Sequence, residues 1–325
     1  MKRHALPLLL ALVPLLAAPA ALAQSWPTKQ VSLIIPSAPG GPSDVLGRVL
    51  ADKLRERYAQ PFVVENRGGA GGNLGTAAVA RAAGDGYTLL ITVDAPIVVN
   101  PALYASMPYD PIKDLQPVAM IGDGGDVALA VPDSSPAKTL QELIALMRKD
   151  PSKANYVSSG NGFPSHIVGE LFKREAKFDA QHIPAKGAGA AMQELLSGRM
   201  NFSFPPASLA APAARSGRIR VLAVSADKRN ALLPDTPTFA ELGLPTVTLR
   251  PYWITLFTTA GAPRAMVESL GAEVRRITHT PEFGALLSRQ GMFASQATPD
   301  ALAERMKRDL ASWKAIIQPL GVKAD

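Results

Sequence analysis

The chain has 325 residues, a formal net charge of +7 and no cysteine. It is large for one core and buries enough apolar surface to fold without disulfides. Its Lys and Arg are scattered, with no basic stripe interleaved with aromatics, which argues against a nucleic-acid partner.

In chain order the first element is an export signal. Met1-Lys2-Arg3-His4 is basic, Ala5 to Ala20 is apolar, and Ala21 to Gln24 ("ALAQ") sets small residues on both sides of Leu22, predicting cleavage after Ala23. An uncleaved membrane anchor is the rival reading. Pro14 and Pro19 interrupt the run and speak against it. No later stretch reaches the roughly 18 apolar residues needed to span a bilayer. Without a cysteine there is also no lipid tether, so a free periplasmic protein without membrane insertion is expected. Removing Lys2 and Arg3 leaves a charge of +5, a mild field suited to gathering anions.

From Val31 strands and helices alternate. "VSLII" reads as a buried strand, and Asp44 to Tyr58 as a helix with Leu46, Leu50 and Leu54 in register. "PFVVEN" is a second strand, followed by a glycine-rich turn, a helix over Thr76 to Ala83, and the strand "YTLLIT". Val127 to Val131, "NYVSS" and "IRVLAVS" read as further strands. Thr139 to Lys149, Ser165 to Lys173 and Gly189 to Leu196 read as helices. Thr248 to Thr258 is extended and apolar, and two helices follow, over Ala265 to Thr278 and Pro299 to Gln318. This alternation predicts an α/β fold with mostly parallel sheets. Two lobes are expected, residues 24–126 with 248–325 and residues 127–247, joined by crossing strands and separated by a ligand cleft.

Three loops share one design, in which a strand ends, small residues turn, and a helix begins. They are "PSAPGGPSD", "NRGGAGGNLG" (Asn66 to Gly75) and "SSGNGFPSH" (Ser158 to His166). Glycines let backbone N–H groups approach a ligand closely. The first N–H groups of a helix lack internal partners and sit at its positive end. Several such starts facing one cleft would hold a carboxylate without a cationic side chain. For each loop alone, ordinary turn chemistry with Asp44 as an N-cap is the stronger reading.

Catalytic and cofactor signals are weak. Leu74 breaks G-x-G-x-x-G at its last position, and neither a P-loop nor G-x-S-x-G occurs. The histidines lack metal-ligand spacing, so neither a metal nor another cofactor is expected. Ser158 or Ser159 with His166 is a conceivable nucleophile and base, without an evident third partner. His166 more naturally caps a helix or touches ligand, and His182 more naturally packs in a strand.

Across nearly the whole mature chain, long segments in order resemble one family. They include "WPTKQVSLIIPSAPGGPSD", "VVENRGGAGGNLGTAAVARAAGDGYTLL", "NPALYASMPYDPIKDLQPVAMI", "YVSSGNGFPSHIVGELFK", "HIPAKGAGAAMQELLSGRMNFSF" and "RVLAVSADKRNALLPDTPTFAELGLP". They are similar to the extracytoplasmic solute receptors of tripartite tricarboxylate transporters, the Bug proteins. The resemblance implies a two-lobed, type II-like periplasmic-binding fold. It implies a monomer without enzymatic activity that closes on a small carboxylate and delivers it to two membrane subunits. Receptors of this fold that inform a signalling system would have the same pocket.

The resemblance also implies which residues hold the ligand. One carboxylate would sit on backbone groups of Ser37 to Asp44, among them Ala38, Gly40 and Gly41, and of Gly69 to Asn73, among them Gly71 and Gly72. The second lobe would add Ser158, Ser159, Asn161, His166, Lys186 and Gly187. The chain departs from the family at Ser37, often aromatic, at Ala185, often tyrosine, and at Pro205-Pro206, often Asp-Asn. Asp94 stands where a small polar residue is usual. These departures predict a roomier pocket, with Asp94 beside it facing an amine, a hydrogen-bond donor or solvent.

Overall fold

The computed structural model describes residues 26–321 and 323. The predicted signal and its cleavage point at Ala23 lie outside them. The first half runs β1 (Val31–Ile35), α1 (Pro42–Tyr58), β2 (Phe62–Asn66), α2 (Asn73–Ala80), β3 (Thr88–Val93), α3 (Asn100–Leu103) and β4 (Leu115–Gly125). A second unit follows: β5 (Val127–Pro132), α4 (Leu140–Lys149), β6 (Asn155–Ser158), α5 (Pro164–Glu175), β7 (Gln181–Pro184) and α6 (Ala188–Leu196). It ends with β8 (Phe202–Ser203), α7 (Ala207–Arg215) and β9 (Ile219–Ser225). The chain then closes with β10 (Tyr252–Thr259), α8 (Arg264–Thr278), α9 (Pro281–Arg289) and α10 (Pro299–Ile317). Among the described residues no helix is long and apolar enough to cross a membrane.

Two five-stranded sheets result, in the orders β2-β1-β3-β10-β4 and β7-β6-β8-β5-β9. β1 pairs parallel with β2 and β3, and β6 pairs parallel with β7 and β8. β10 returns antiparallel between β3 and β4, and β5 lies antiparallel to β8 and β9. Asp126 alone separates the last residue of β4 from the first of β5, so the chain crosses between sheets there. In each sheet the parallel strands send their carboxyl ends toward the loops that begin α1 and α5, where α/β sheets bind ligands.

The local reasons are ordinary. Leu46, Leu50 and Leu54 are fully buried against the first sheet, as the helical spacing requires. Gly47 lies on the same face, where a Cβ would stand 2.9 Å from Ile35 Cδ1, so α1 packs close to β1. In the second unit Phe172, Phe202, Phe204 and Phe239 bury completely and meet mostly edge to face.

Several elements exceed the sequence reading, β4, α7 and α9 being the longest. β4 carries Pro117 and three glycines, which conceal a strand. It lies at the sheet edge, where proline costs no central ladder bond. α7 is built largely of alanines around an internal Pro212, a residue that argues against a helix interior. α9 is short and starts on Thr280, whose side chain accepts from Phe283 N. The tail therefore has three helices rather than two.

Candidate ligand-binding site

Two helix starts are built alike. α1 opens with Gly40-Gly41-Pro42-Ser43-Asp44 and α5 with Gly162-Phe163-Pro164-Ser165-His166. In both, proline takes the first helical position, where its missing N–H costs nothing. In both, the glycine four residues before the third helical residue has a positive φ, 89° at Gly40 and 80° at Gly162. The third helical residue then turns its side chain back to close the loop. Gly40 N donates to Asp44 Oδ2 at 3.1 Å, and Gly162 N donates to His166 Nδ1 at 3.1 Å. Asp44 is thus no N-cap; that position is Gly41. Burial works against the Asp44 charge, but hydrogen bonds from Arg48, Gly40 and Asn66 hold its carboxyl below the usual range.

These starts face each other across a narrow cavity of about 40 Å³. Its walls are Gly41, Pro42 and Ser43 of α1, Phe163, Pro164 and Ser165 of α5, Ala188 of α6 and Pro206 at the N-cap of α7. Ser37, Ser159, Val93, Val127 and Tyr252 complete it. Four helix N-termini therefore converge, and no lining residue is charged. The N–H groups of Gly41 and Ser43 have no acceptor among the described residues. An anion is the ligand that such a lining stabilises.

A second cavity of about 190 Å³ adjoins it, sharing Ser159 and Phe163. Gly69 to Gly72 form one wall, and Gly160, Asn161, Ala185 and Lys186 the other. The lobes touch around both cavities. Ala38 N donates to Lys186 O at 2.6 Å, and Gly71 packs on the Asn161 carbonyl. A Cβ on Gly187 (φ 131°) would stand 2.9 Å from Ala38 N, so only glycine fits there.

The site residues expected from the sequence divide by position. Ser37, Gly41 and Ser159 line the first cavity; Gly71, Gly72, Ser159, Asn161, Ala185 and Lys186 line the second. Ala38, Gly40 and Gly187 shape the contact between lobes. Asp44, Ser158 and His166 are buried behind the lining. Asn73 lies deeper in the first lobe, where its Oδ1 accepts from Asn100 and Tyr109. Pro205 lines neither cavity; its carbonyl accepts from Ala128 N, and the neighbouring Pro206 is the lining residue.

Asp94 also lines neither cavity. It follows β3, is 2 % exposed, and faces a separate hollow with Arg305 and Asp309. Burial and then the neighbouring Asp309 push its carboxyl well above the usual range. The first cavity is narrow because Val93, Val127, Phe163 and Pro206 occupy the space. The lining also includes Ser43, Ser165 and Tyr252, which the sequence reading missed. The repeated Gly-x-Pro-Ser at the starts of α1 and α5 was the available signal for the two serines. Tyr252, the first residue of β10, had none.

The conceivable pairing of Ser158 with His166 does not form. Ser158 Oγ lies 2.6 Å from His182 Nε2 instead, and Ser158 is fully buried. His166 stacks on His182 (centroids 4.1 Å apart), His182 on Tyr156 (4.9 Å) and Tyr156 on Phe202 (5.2 Å). This column carries the loop of both cavities on the core of the second lobe.

The chain matches the family model "Tripartite tricarboxylate transporter family receptor" over residues 46–322. It belongs to that receptor family. BugT of Bordetella pertussis is 32 % identical over 302 residues, covering 93 % of this chain and 92 % of BugT. A solved structure of an R. palustris protein with adipate superposes with a TM-score of 0.86 at 31 % identity, covering 92 % of this chain and 99 % of that one. MatC from Rhodopseudomonas palustris, solved with bound malate, gives 0.83 at 29 % identity, covering 90 % and 100 %. The two-lobed α/β architecture is shared with these receptors.

Two measurements test the geometry. Gly187→Ala penalises the closed state by about 1–3 kcal/mol through its strained φ and the crowding at Ala38. Calorimetry with a carboxylate that the wild-type chain binds should show affinity reduced about tenfold or more; unchanged affinity would show that closure does not need this approach. The second concerns pH. Burial lowers His166 to about 4 and His182 to about 3, with Lys173 and His166 respectively adding to it. Both therefore hold fewer protons folded than unfolded below the usual histidine value of about 6.5, and stability falls as pH drops through that window. His166 alone contributes a loss on the order of 3 kcal/mol between pH 6.5 and 4. In denaturant melts the double variant His166→Asn, His182→Gln should lose that dependence on acid, and an unchanged pH slope would contradict it.

Proposed function

We propose that this chain is an exported receptor that captures a small organic carboxylate between its lobes and delivers it to the membrane subunits of a tripartite transporter. The observation that carries the proposal is the convergence of four helix N-termini on one uncharged cavity. Relatives solved with adipate and with malate support the ligand class. The receptor works in the periplasm as a monomer, released by cleavage after Ala23. The lobes are residues 24–126 with 248–325 and residues 127–247, and they close as rigid bodies because ligand contacts from both favour the closed state.

One carboxylate would rest on the starts of α1 and α5, with Ser37, Gly41 and Ser159 beside it. The rest of the ligand would extend past Phe163 toward Gly71, Gly72, Asn161, Ala185 and Lys186. Ala38, Gly40, Asp44, Gly187, Ser158 and His166 would hold these groups in place. No turnover is proposed. Ser158, which has a histidine within reach, is fully buried, and Ser159, which faces the cavities, donates its backbone N–H to Ser165 Oγ without a base beside it.

A thermal-shift screen of refolded protein tests this. The panel holds adipate, malate, citrate, amino acids and aromatic carboxylates. A cleft ligand at about 100 times its dissociation constant adds roughly 2.7 kcal/mol and raises the melting temperature. Stabilisation by an aliphatic or aromatic carboxylate is the expected result. No shift with any of them would reject a carboxylate receptor.

A further inference from the structure

A second hollow lies on the first lobe, outside the cleft, with a volume of about 520 Å³. Such a volume suits a small organic ligand, which pockets hold by apolar walls and a few fixed polar groups. One wall comes from the segments where the chain crosses between sheets, Asp123-Gly124 and Arg250-Pro251. α10 supplies the other, with Arg305, Arg308, Asp309 and Trp313.

Its charges are unevenly matched. Arg305 is committed: it donates two hydrogen bonds to Asp123 and a third to Asp309 at 3.3 Å. Arg250 and Arg308 are exposed at the mouth and form no ion pair among the described residues. Two guanidinium groups without a carboxylate partner thus line one hollow, and guanidinium matches a carboxylate in bidentate geometry.

The apolar part is already in place. Trp253 and Trp313 are buried at 2 % and 4 % exposure, and Trp253 Nε1 is fixed by Asp309 at 3.0 Å. Phe293 is 60 % exposed, yet its backbone is held by two hydrogen bonds with Asp123, at 2.9 and 3.0 Å. The ring packs over Gly124, and Phe293 lines the hollow with an apolar surface. At the base, Asp94 Oδ1 is buried without a hydrogen-bond partner among the described residues. That oxygen is open to a polar substituent of a ligand in the hollow.

We infer that this hollow is a second binding site, for a small aromatic carboxylate whose carboxylate meets Arg250 and Arg308 and whose ring lies against Trp313 and Phe293. The inference is independent of the cleft ligand, because Arg250, Arg308 and Trp313 line neither cleft cavity.

Benzoate titrated into the full receptor labelled with 5-fluorotryptophan and followed by fluorine NMR tests it. The chain has three tryptophans, and Trp26, packed on Tyr58 and Phe62, serves as the internal control. Trp313→Phe assigns the diagnostic resonance. Millimolar benzoate should shift the Trp313 signal saturably and leave Trp26 unmoved. In the Arg250→Gln, Arg308→Gln variant the benzoate affinity read from Trp313 should fall about tenfold, while the response to a cleft ligand stays as in wild type. A Trp313 resonance that does not move, or that moves with equal affinity in the variant, would overturn the inference. Failure of the cleft screen would leave the Trp313 result unaffected, so the two readings fail separately.

Discussion

The structure depends on how two helix starts are closed from behind. The N–H groups at the front of a helix must stay free if they are to receive a ligand, yet the loop before them must not collapse onto them. Asp44 and His166 meet both demands by the same contact, accepting the N–H of the glycine four residues earlier. The side chain at the third helical position thus ties the loop back. The N–H groups of Gly41 and Ser43 are left pointing forward. The acceptors differ in charge, but both work as acceptors near neutral pH. Asp44 is ionised with the help of Arg48, and His166 is kept neutral by burial.

From this follows the need for glycine where the lobes meet. An anion held by backbone requires both lobes to bring main chain to the same point, and any Cβ in between keeps them apart. Gly71 on the Asn161 carbonyl, Gly189 on the Pro39 carbonyl and Gly187 on Ala38 N are places where main chain from the two lobes comes this close. The ring column from His166 to Phe202 makes the second-lobe loop part of a rigid core. In the proposed closure the helix starts would move as units, driven by a difference in ligand contact energy between open and closed states.

Periodicity made the scaffold legible in the sequence, and chemistry at loop tips did so only in part. Leu46, Leu50 and Leu54 announced α1 because its buried stripe repeats every turn. β4 stayed hidden because its glycines and Pro117 suit an edge strand, where local signals count against a strand and pairing with β10 overrides them. The anion-binding loops could be found because glycine and proline have few uses. Positions one residue apart could not: Pro206 faces the cavity while Pro205 spends its carbonyl on Ala128. Likewise Ser158 meets His182 rather than His166, because parallel pairing sets Tyr156 beside His182 and Val157 beside Ile183, while the helix carrying His166 turns it toward Gly162.

An anion site also constrains what stands behind it. Tyr252 forms the back of the first cavity, and Asp94 and Asp126 lie close enough behind it that both disfavour ionisation of its phenol. Two ionised carboxylates there would oppose the field of the four helix starts. Burial works against this. It raises Asp126, which Asn230 partly offsets, and it raises Asp94 further, with Asp309 adding to the effect. A carboxyl whose ionisation is disfavoured opposes the field of the helix starts less than a free one would. The cavity needs no lysine or arginine to remain selective for anions. A ligand held by partial charges of about half an elementary charge at each helix start is also released more readily than one paired with a buried guanidinium. A receptor that must surrender its cargo after each capture gains from that arrangement.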